Sequence, residues 1–275
     1  MAKIWVPAGK VPTKPRSFHI VAADVRHTVF SVQRFRPRPD GLYDITPIGS
    51  GFFVTSEAFV TCCHVINGSM SPHKEGDLYR LVNNLDGEHG IVHEINGGVG
   101  KDIHLFPDDD LAILISKSKK DQAFLPVSYA DLAVGAPLGV AGYPLGQLSN
   151  DAMGNLTLKG IIYRVSQAPA NAVYRTDLSW KNDVPLKDVT VVEVNFLFVP
   201  GNSGGPIFDA ETGRALAYVK GFRYPKIIEM KETCNLIPVP DGMNGDYMSA
   251  IYAVYSVGLT LDRVRKHLEK FGVQL

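Results

Sequence analysis

From Phe18 onward the chain is written in short runs of β-branched and aromatic residues, each closed by glycine, proline or an Asn/Asp-Gly step. The runs include Thr28–Gln33, Ile48–Val54, Ala58–Cys62, Leu78–Val82, Gly90–Ile95 and Leu111–Ile115 in the first half. Val134–Pro144, Gly154–Val165, Thr190–Phe196, Ala215–Gly221 and Ala250–Val257 follow in the second. Runs this short cannot support a helical domain, and their spacing predicts an all-β barrel or sandwich. His19-Ile20-Val21-Ala22 reads as a further strand. The helical signal is confined to the end, where Leu261, Val264, Leu268 and Phe271 recur at steps of three and four. Thr260 is the expected N-cap there, with Gly272 closing the run. Pro7, Pro12 and Pro15 make residues 1–17 an extended arm. Residues 67–108 are loop-rich, and 225–246 reads as a surface loop.

Composition narrows the function classes. With 275 residues, 45% of them hydrophobic and 20% charged, the chain has the make-up of an ordinary globular protein. Lys+Arg and Asp+Glu each total 28, so the formal net charge is +0 and no global field draws the protein to nucleic acid or to an anionic membrane. The start carries no apolar stretch of signal-peptide length, and no run is long enough to span a bilayer. Cys62, Cys63 and Cys234 are an odd, sparse set, which reads as reduced thiols in a cytoplasmic protein. Adjacent Cys62 and Cys63 on a strand would face opposite ways and serve packing. Glu88-His89 and His93-Glu94 have only a weak metal-like spacing without a helix to present it, so neither a metal nor another cofactor is expected.

One run stands apart. Pro200-Gly201-Asn202-Ser203-Gly204-Gly205-Pro206 places glycines on both sides of a single serine. Such a turn can aim several backbone N–H groups into the space beside Ser203 Oγ, an arrangement that acyl transfer requires. Two other polar residues lie at the edges of β-runs. His64 follows Phe59-Val60-Thr61-Cys62-Cys63, and Asp110 precedes Leu111-Ala112-Ile113-Leu114. Asp108 and Asp109 compete with Asp110 but are further from the buried run. A base that takes a serine proton and a buried carboxylate that orients the base complete a catalytic triad.

At these motifs the chain resembles the chymotrypsin-fold serine proteases, and within them the HtrA-like bacterial branch. Gly49–Val54 is similar to the strand that opens that domain, Thr61–Val65 to its histidine motif, and Asp110–Leu114 to its aspartate motif. Gly142–Gly146 resembles a turn of its second barrel, Pro200–Pro206 its nucleophile loop, and Ile251–Val257 with Leu261–Leu268 its closing strand and helix. The likeness runs from about residue 20 to 272. It implies two six-stranded antiparallel β-barrels packed against each other, plus a C-terminal α-helix. The expected division is an arm over 1–17, a first barrel over 18–120 with His64 and Asp110, a second over 121–258 with Ser203, and the helix over 259–275.

The resemblance implies that Ser203 is the nucleophile, His64 the general base and then acid, and Asp110 the orienting carboxylate. The N–H groups of Gly201 and Ser203 would form the oxyanion hole, with Asn202 fixing the turn between them. Leu197 would floor the specificity pocket, and Tyr218, Val219 and Lys220 would line its wall and pair with an extended substrate. An apolar floor argues for an apolar residue before the scissile bond, and Lys220 turned inward would change this. Trypsin-like secreted enzymes carry an aspartate where Asn202 stands, so activation by a freed N-terminus is not expected. Activity should instead depend on loop order around 135–185 and 200–203. The relatives' usual PDZ domain does not follow the helix, so control by PDZ peptide binding is not expected either. The expected activity is that of a serine endopeptidase acting on polypeptide; the same machinery would also cleave esters. Two other readings stand beside it: a silent barrel module that binds extended peptides, and a protease latent until a partner protein orders its loops.

Overall fold

The computed structural model describes residues 15–68, 72–84, 91–117, 122–144, 148–150, 156–158, 162–179, 184–195, 200–223, 226–229, 250–252 and 255–273. Leu197, Cys234, Glu88 and His89, most of the arm, and most of the 225–246 segment lie outside them.

The chain opens with helix α1 (Phe18–Arg26), where the sequence pattern suggested a strand. Four residues, His19–Ala22, alternate too briefly to distinguish the two. Val21 and Val25, one helical turn apart, are both buried, while Ile20, next to Val21, is exposed. Strands β1 (Val29–Pro37), β2 (Tyr43–Phe53), β3 (Ala58–Cys62), β4 (Leu78–Asn83), β5 (Ile91–Ile95), β6 (Ile103–Phe106) and β7 (Leu111–Ile115) form one antiparallel sheet. Its order is β5-β4-β1-β2-β3-β7-β6. Short helix α2 (Cys63–Asn67) follows β3 directly.

The second half holds a closed six-stranded barrel. Its strands are β8 (Pro137–Gly142), β11 (Arg164–Leu178), β12 (Leu186–Val194), β13 (Pro206–Asp209), β14 (Ala215–Arg223) and β17 (Tyr255–Thr260). Two small hairpins accompany it, β9 (Leu148–Asn150) with β10 (Leu156–Leu158), and β15 (Lys226–Glu229) with β16 (Ala250–Tyr252). Closure removes free strand edges, the liability of any sheet of this size. Helix α3 (Arg265–Glu269) ends the described chain. It is shorter than the periodicity suggested, and Thr260 is the last residue of β17 rather than a cap. The apolar stripe still docks: Leu261, Val264 and Leu268 are fully buried.

Two cores result. One fills the first sheet and continues through Tyr143, Tyr218, Leu259 and Leu268, so it joins both barrels and the C-terminal helix. Phe30, Phe53 and Phe59 stack edge-on within it, with centroids 5.1–6.3 Å apart. His93 is part of this core, with Nδ1 2.9 Å from Ser116 Oγ and Nε2 2.8 Å from Gln122 Oε1. The other core lies inside the closed barrel and is built from small aliphatics such as Leu138, Val192, Ile207 and Val219. The polar groups of interest sit where the shared core meets the gap between the barrels.

Candidate active site

His64 and Asp110 are brought together by strand register. β3 and β7 pair antiparallel with Cys62 opposite Leu111. The next pair outward is therefore Cys63 with Asp110, and the Cys63 N–H donates to the Asp110 carbonyl (2.9 Å). Just there β3 gives way to helix α2, which turns His64 back over Asp110. The His64 backbone N–H donates to Asp110 Oδ1 (3.0 Å), and imidazole Nδ1 lies 2.8 Å from Oδ2 and 3.1 Å from Oδ1. Asp110 itself ends a 3-10 turn over Pro107–Asp109 with φ 48, in the left-handed region that aspartate tolerates better than most residues.

The turn that carries Asp110 is held from the other side. Asp109 is also buried, but it faces away from His64 and accepts from Arg263 Nε (2.7 Å) and His267 Nε2 (2.9 Å). Arg263 also donates to the carbonyls of Asp108, Lys187 and Asp188. Tyr218 Oη donates to the Asp109 carbonyl (2.7 Å), and the His267 ring stacks on Phe106. Of the three consecutive aspartates, Asp110 meets the imidazole and Asp109 meets the C-terminal segment.

Ser203 sits on the glycine turn before β13. Gly201 and Gly204 adopt positive φ (97 and 85), which a side chain would oppose. A Cβ on Gly204 would also collide with the Ser50 carbonyl oxygen and Thr61 Oγ1. The Gly204 N–H donates to the Val219 carbonyl (2.8 Å) and the Gly205 N–H to that of Asn202 (2.9 Å). The N–H groups of Gly201 and Ser203 take part in no such bond among the described residues. The turn is clasped by the opposite barrel through Ser50 of β2. Its N–H donates to the Ser203 carbonyl (2.9 Å) and its Oγ donates to the Gly201 carbonyl (2.6 Å) while accepting from the Tyr143 N–H (2.7 Å). Thr61 Oγ1 in turn donates to the Ser50 carbonyl (2.7 Å).

Ser50 was not singled out in the sequence. The signal was present in Gly49-Ser50-Gly51, where two glycines allow close approach: a Cβ on Gly49 would meet Val65 and the Ser203 carbonyl, and one on Gly51 the Phe59 ring and Val60.

The expected specificity strand has an unexpected orientation. Tyr218 and Val219 are fully buried, and the Val219 N–H and carbonyl are engaged with Gly205 and Gly204. Lys220 is turned inward, with a side chain only 3% exposed. Its Nζ lies 2.8 Å from Asp110 Oδ2 and 3.2 Å from His64 Nδ1. Ser203 Oγ donates to the Lys220 carbonyl (3.5 Å) rather than to the imidazole.

Electrostatics follow from these contacts. Burial alone would raise the Asp110 carboxyl, but the charge and hydrogen bond of His64 and the ammonium of Lys220 together outweigh it and bring the group to about 2. The Cys62 thiol is pushed well up by burial and by the adjacent Asp110 charge, and it donates to the Val219 carbonyl (3.2 Å). Cys62 is therefore an inert thiol beside the site rather than a nucleophile. Cys62, His64 and Asp110 offer sulfur, nitrogen and oxygen ligand atoms within 4.8 Å of one another, a donor set that suits zinc. The cation beside that carboxylate is the Lys220 ammonium.

A carboxylate, an imidazole and a serine on a glycine turn between two β-barrels can be compared with known proteins. The sequence profile of a family described as a trypsin-like peptidase domain matches residues 49–217, more than half of the chain. The chain belongs to the trypsin-like peptidase family. The matched span runs from Gly49 beside the serine turn to Ala217 in β14, and so contains His64, Asp110 and Ser203. Among solved structures, this peptidase domain is similar to the Rv3671c protease of M. tuberculosis in its active form, with 18% identity and a TM-score of 0.54. That likeness covers 100% of this chain and 96% of the other. No curated protein matches the sequence. Among the described residues, no helix of this trypsin-like peptidase is long and apolar enough to cross a membrane.

Proposed function

We propose that the protein is a serine endopeptidase that cleaves polypeptides through an acyl-enzyme on Ser203. The observation that carries the reading is the pairing of a partly buried His64 with buried Asp110, Nδ1 to Oδ2 at 2.8 Å, set in a trypsin-like peptidase domain that also presents Ser203 on a glycine turn. In this reading Asp110 holds the imidazole with its proton on Nδ1, leaving Nε2 to act as base. As Ser203 Oγ attacks the carbonyl carbon of the scissile bond, its proton passes to Nε2, and the carbonyl oxygen becomes an oxyanion. The Gly201 and Ser203 N–H groups receive that oxyanion; losing one such donor in a comparable site costs about 3 kcal/mol. Collapse expels the amine, which leaves with the proton from Nε2. Water then attacks the ester, gives its proton to Nε2, and releases the acid as Ser203 Oγ regains a proton. The proposed chemistry needs no cofactor, and its substrate is an extended polypeptide lying between the barrels.

One observation favours a second reading, a trypsin-like module that is silent or awaits activation by a partner. Ser203 Oγ is bonded to the Lys220 carbonyl, and Lys220 Nζ occupies Asp110. A fluorophosphonate probe separates the two. Labelling of the wild type that disappears in Ser203→Ala supports the peptidase, with peptide-library cleavage then separating it from an esterase. A wild type that is never labelled supports the silent module.

A further inference from the structure

The buried ammonium of Lys220 lies between the two groups whose cooperation the proposed reaction needs. Asp110 is buried and accepts four contacts: the His64 N–H and Nδ1 on Oδ1, and Nδ1 and Lys220 Nζ on Oδ2. Its one negative charge is therefore shared between an imidazole and an ammonium group at the same distance, 2.8 Å. Acyl transfer places a positive charge on the ring at the moment His64 takes the serine proton, and the orienting carboxylate stabilises that charge. An ammonium 3.2 Å from Nδ1 opposes it, in surroundings dry enough for the repulsion to count. The backbone carbonyl of the same residue is the acceptor nearest Ser203 Oγ, 3.5 Å away at the outer limit of a hydrogen bond.

We propose that Lys220 is a built-in brake, a positioning residue whose ammonium neutralises Asp110 and slows acylation of Ser203 until it is withdrawn. The inference rests on the peptidase reading above. Its substance is that the site carries its own counter-cation, so full activity requires either loss of that charge or a movement of the Lys220 side chain away from Asp110. β14 has the irregularity such a movement would use: its pairing register with β17 shifts between Val219 and Gly221, at Lys220 itself.

The test compares wild type, Lys220→Met, Lys220→Gln, Lys220→Arg and Ser203→Ala for the rate of fluorophosphonate labelling and for p-nitrophenyl ester hydrolysis. Thermal unfolding identifies which variants fold, and Gln substitutes for Met if the latter does not. The neutral variants are expected to label about tenfold faster than wild type, the change in rate that a modest shift in barrier gives. kcat should rise while KM stays near its wild-type value, a split that a merely structural lysine would not produce. Lys220→Arg should remain as slow as wild type. A wild type that is silent while Lys220→Met labels at Ser203 also supports the brake. If wild type labels and the folded neutral variants are no faster, the brake is overturned and the peptidase reading stands. If neither wild type nor neutral variants label, both fail together.

Discussion

The two barrels position their functional side chains by different means. In the first, His64 and Asp110 are fixed by the β3–β7 register, by two backbone bonds between β3–α2 and the Asp110 turn, and by the Arg263 and His267 grip on the neighbouring Asp109. In the second, Ser203 rides on a turn whose glycines permit its shape but do not enforce it. What selects the shape is Ser50, reaching across from the other barrel. The difference teaches where each half is vulnerable. The His64–Asp110 geometry is set first by the register of one sheet and braced by the C-terminal segment, whereas the Ser203 geometry depends on a clasp from the other sheet.

The harshest way to break this contrast is to put a side chain into the contact. Gly204→Ala adds a methyl at positive φ against the Ser50 carbonyl oxygen and Thr61 Oγ1, so the serine turn must move. A displacement of order 1 Å costs about 100-fold in rate. Fluorophosphonate labelling should fall by at least that factor, while the backbone amide shifts around His64 and Asp110 change little. Ser50→Ala is milder. It removes the donor to the Gly201 carbonyl and the acceptor for the Tyr143 N–H, and a buried polar group left unpaired costs about 1–3 kcal/mol. We expect a loss of about tenfold in labelling, again with the His64–Asp110 pair intact. If Ser50→Ala left labelling unchanged, the clasp would be incidental and the glycines alone would shape the turn.

A smaller effect sharpens the comparison from the other side. Arg263→Met removes one of the two side-chain donors to Asp109 and the guanidinium donor to the carbonyls of Asp108, Lys187 and Asp188. It should lower the thermal midpoint by a few degrees, as a loss of about 1 kcal/mol would. The labelling loss should be smaller than for Ser50→Ala, because register still holds Asp110. The last expected effect, the one with the least bearing on labelling, is on acid stability. Folding lowers the Asp110 carboxyl from its ordinary 3.8 to about 2, so the unfolded chain binds its proton more readily than the native one. The stabilisation is complete above about pH 4 and is lost as pH falls through about 2. Urea titrations of Ser203→Ala between pH 5 and 2 should show this decline, and adding Asp110→Asn should make it shallower. An equally steep decline would place the acid sensitivity elsewhere, with Asp77, lowered by its bond to Arg36, as the next group to test.

Much of this architecture could be read before any coordinates. Strands such as Ala58–Cys62 and Leu111–Ile115 are almost wholly apolar because both faces are covered, and their ends were visible as changes in composition. β6 was missed because Ile103-His104-Leu105-Phe106 is four residues long, with a polar residue in it. α1 was misread because a four-residue window cannot show a period of 3.6. The preference for Asp110 over Asp108 and Asp109 came from its place beside the buried run, and the structure turns that residue to His64. The opposite assignment of Asp109 depended on Arg263 and His267, more than 150 residues away, and no local pattern could announce it.

By itself the sequence determined the series of strands, the glycine turn around Ser203 and the order in which histidine, aspartate and serine occur. These are local matters, set by propensity, by burial pattern and by the backbone freedom of glycine. Only the tertiary structure decided that Ser50 holds the serine turn and that Tyr218 and Val219 face the core. It also decided that the Lys220 side chain turns inward to reach Asp110. A lysine in a strand reads the same whether it meets water or a carboxylate. Its partner lies 110 residues away in another barrel, and the energy of burying such a charge is settled by the groups that surround it after folding.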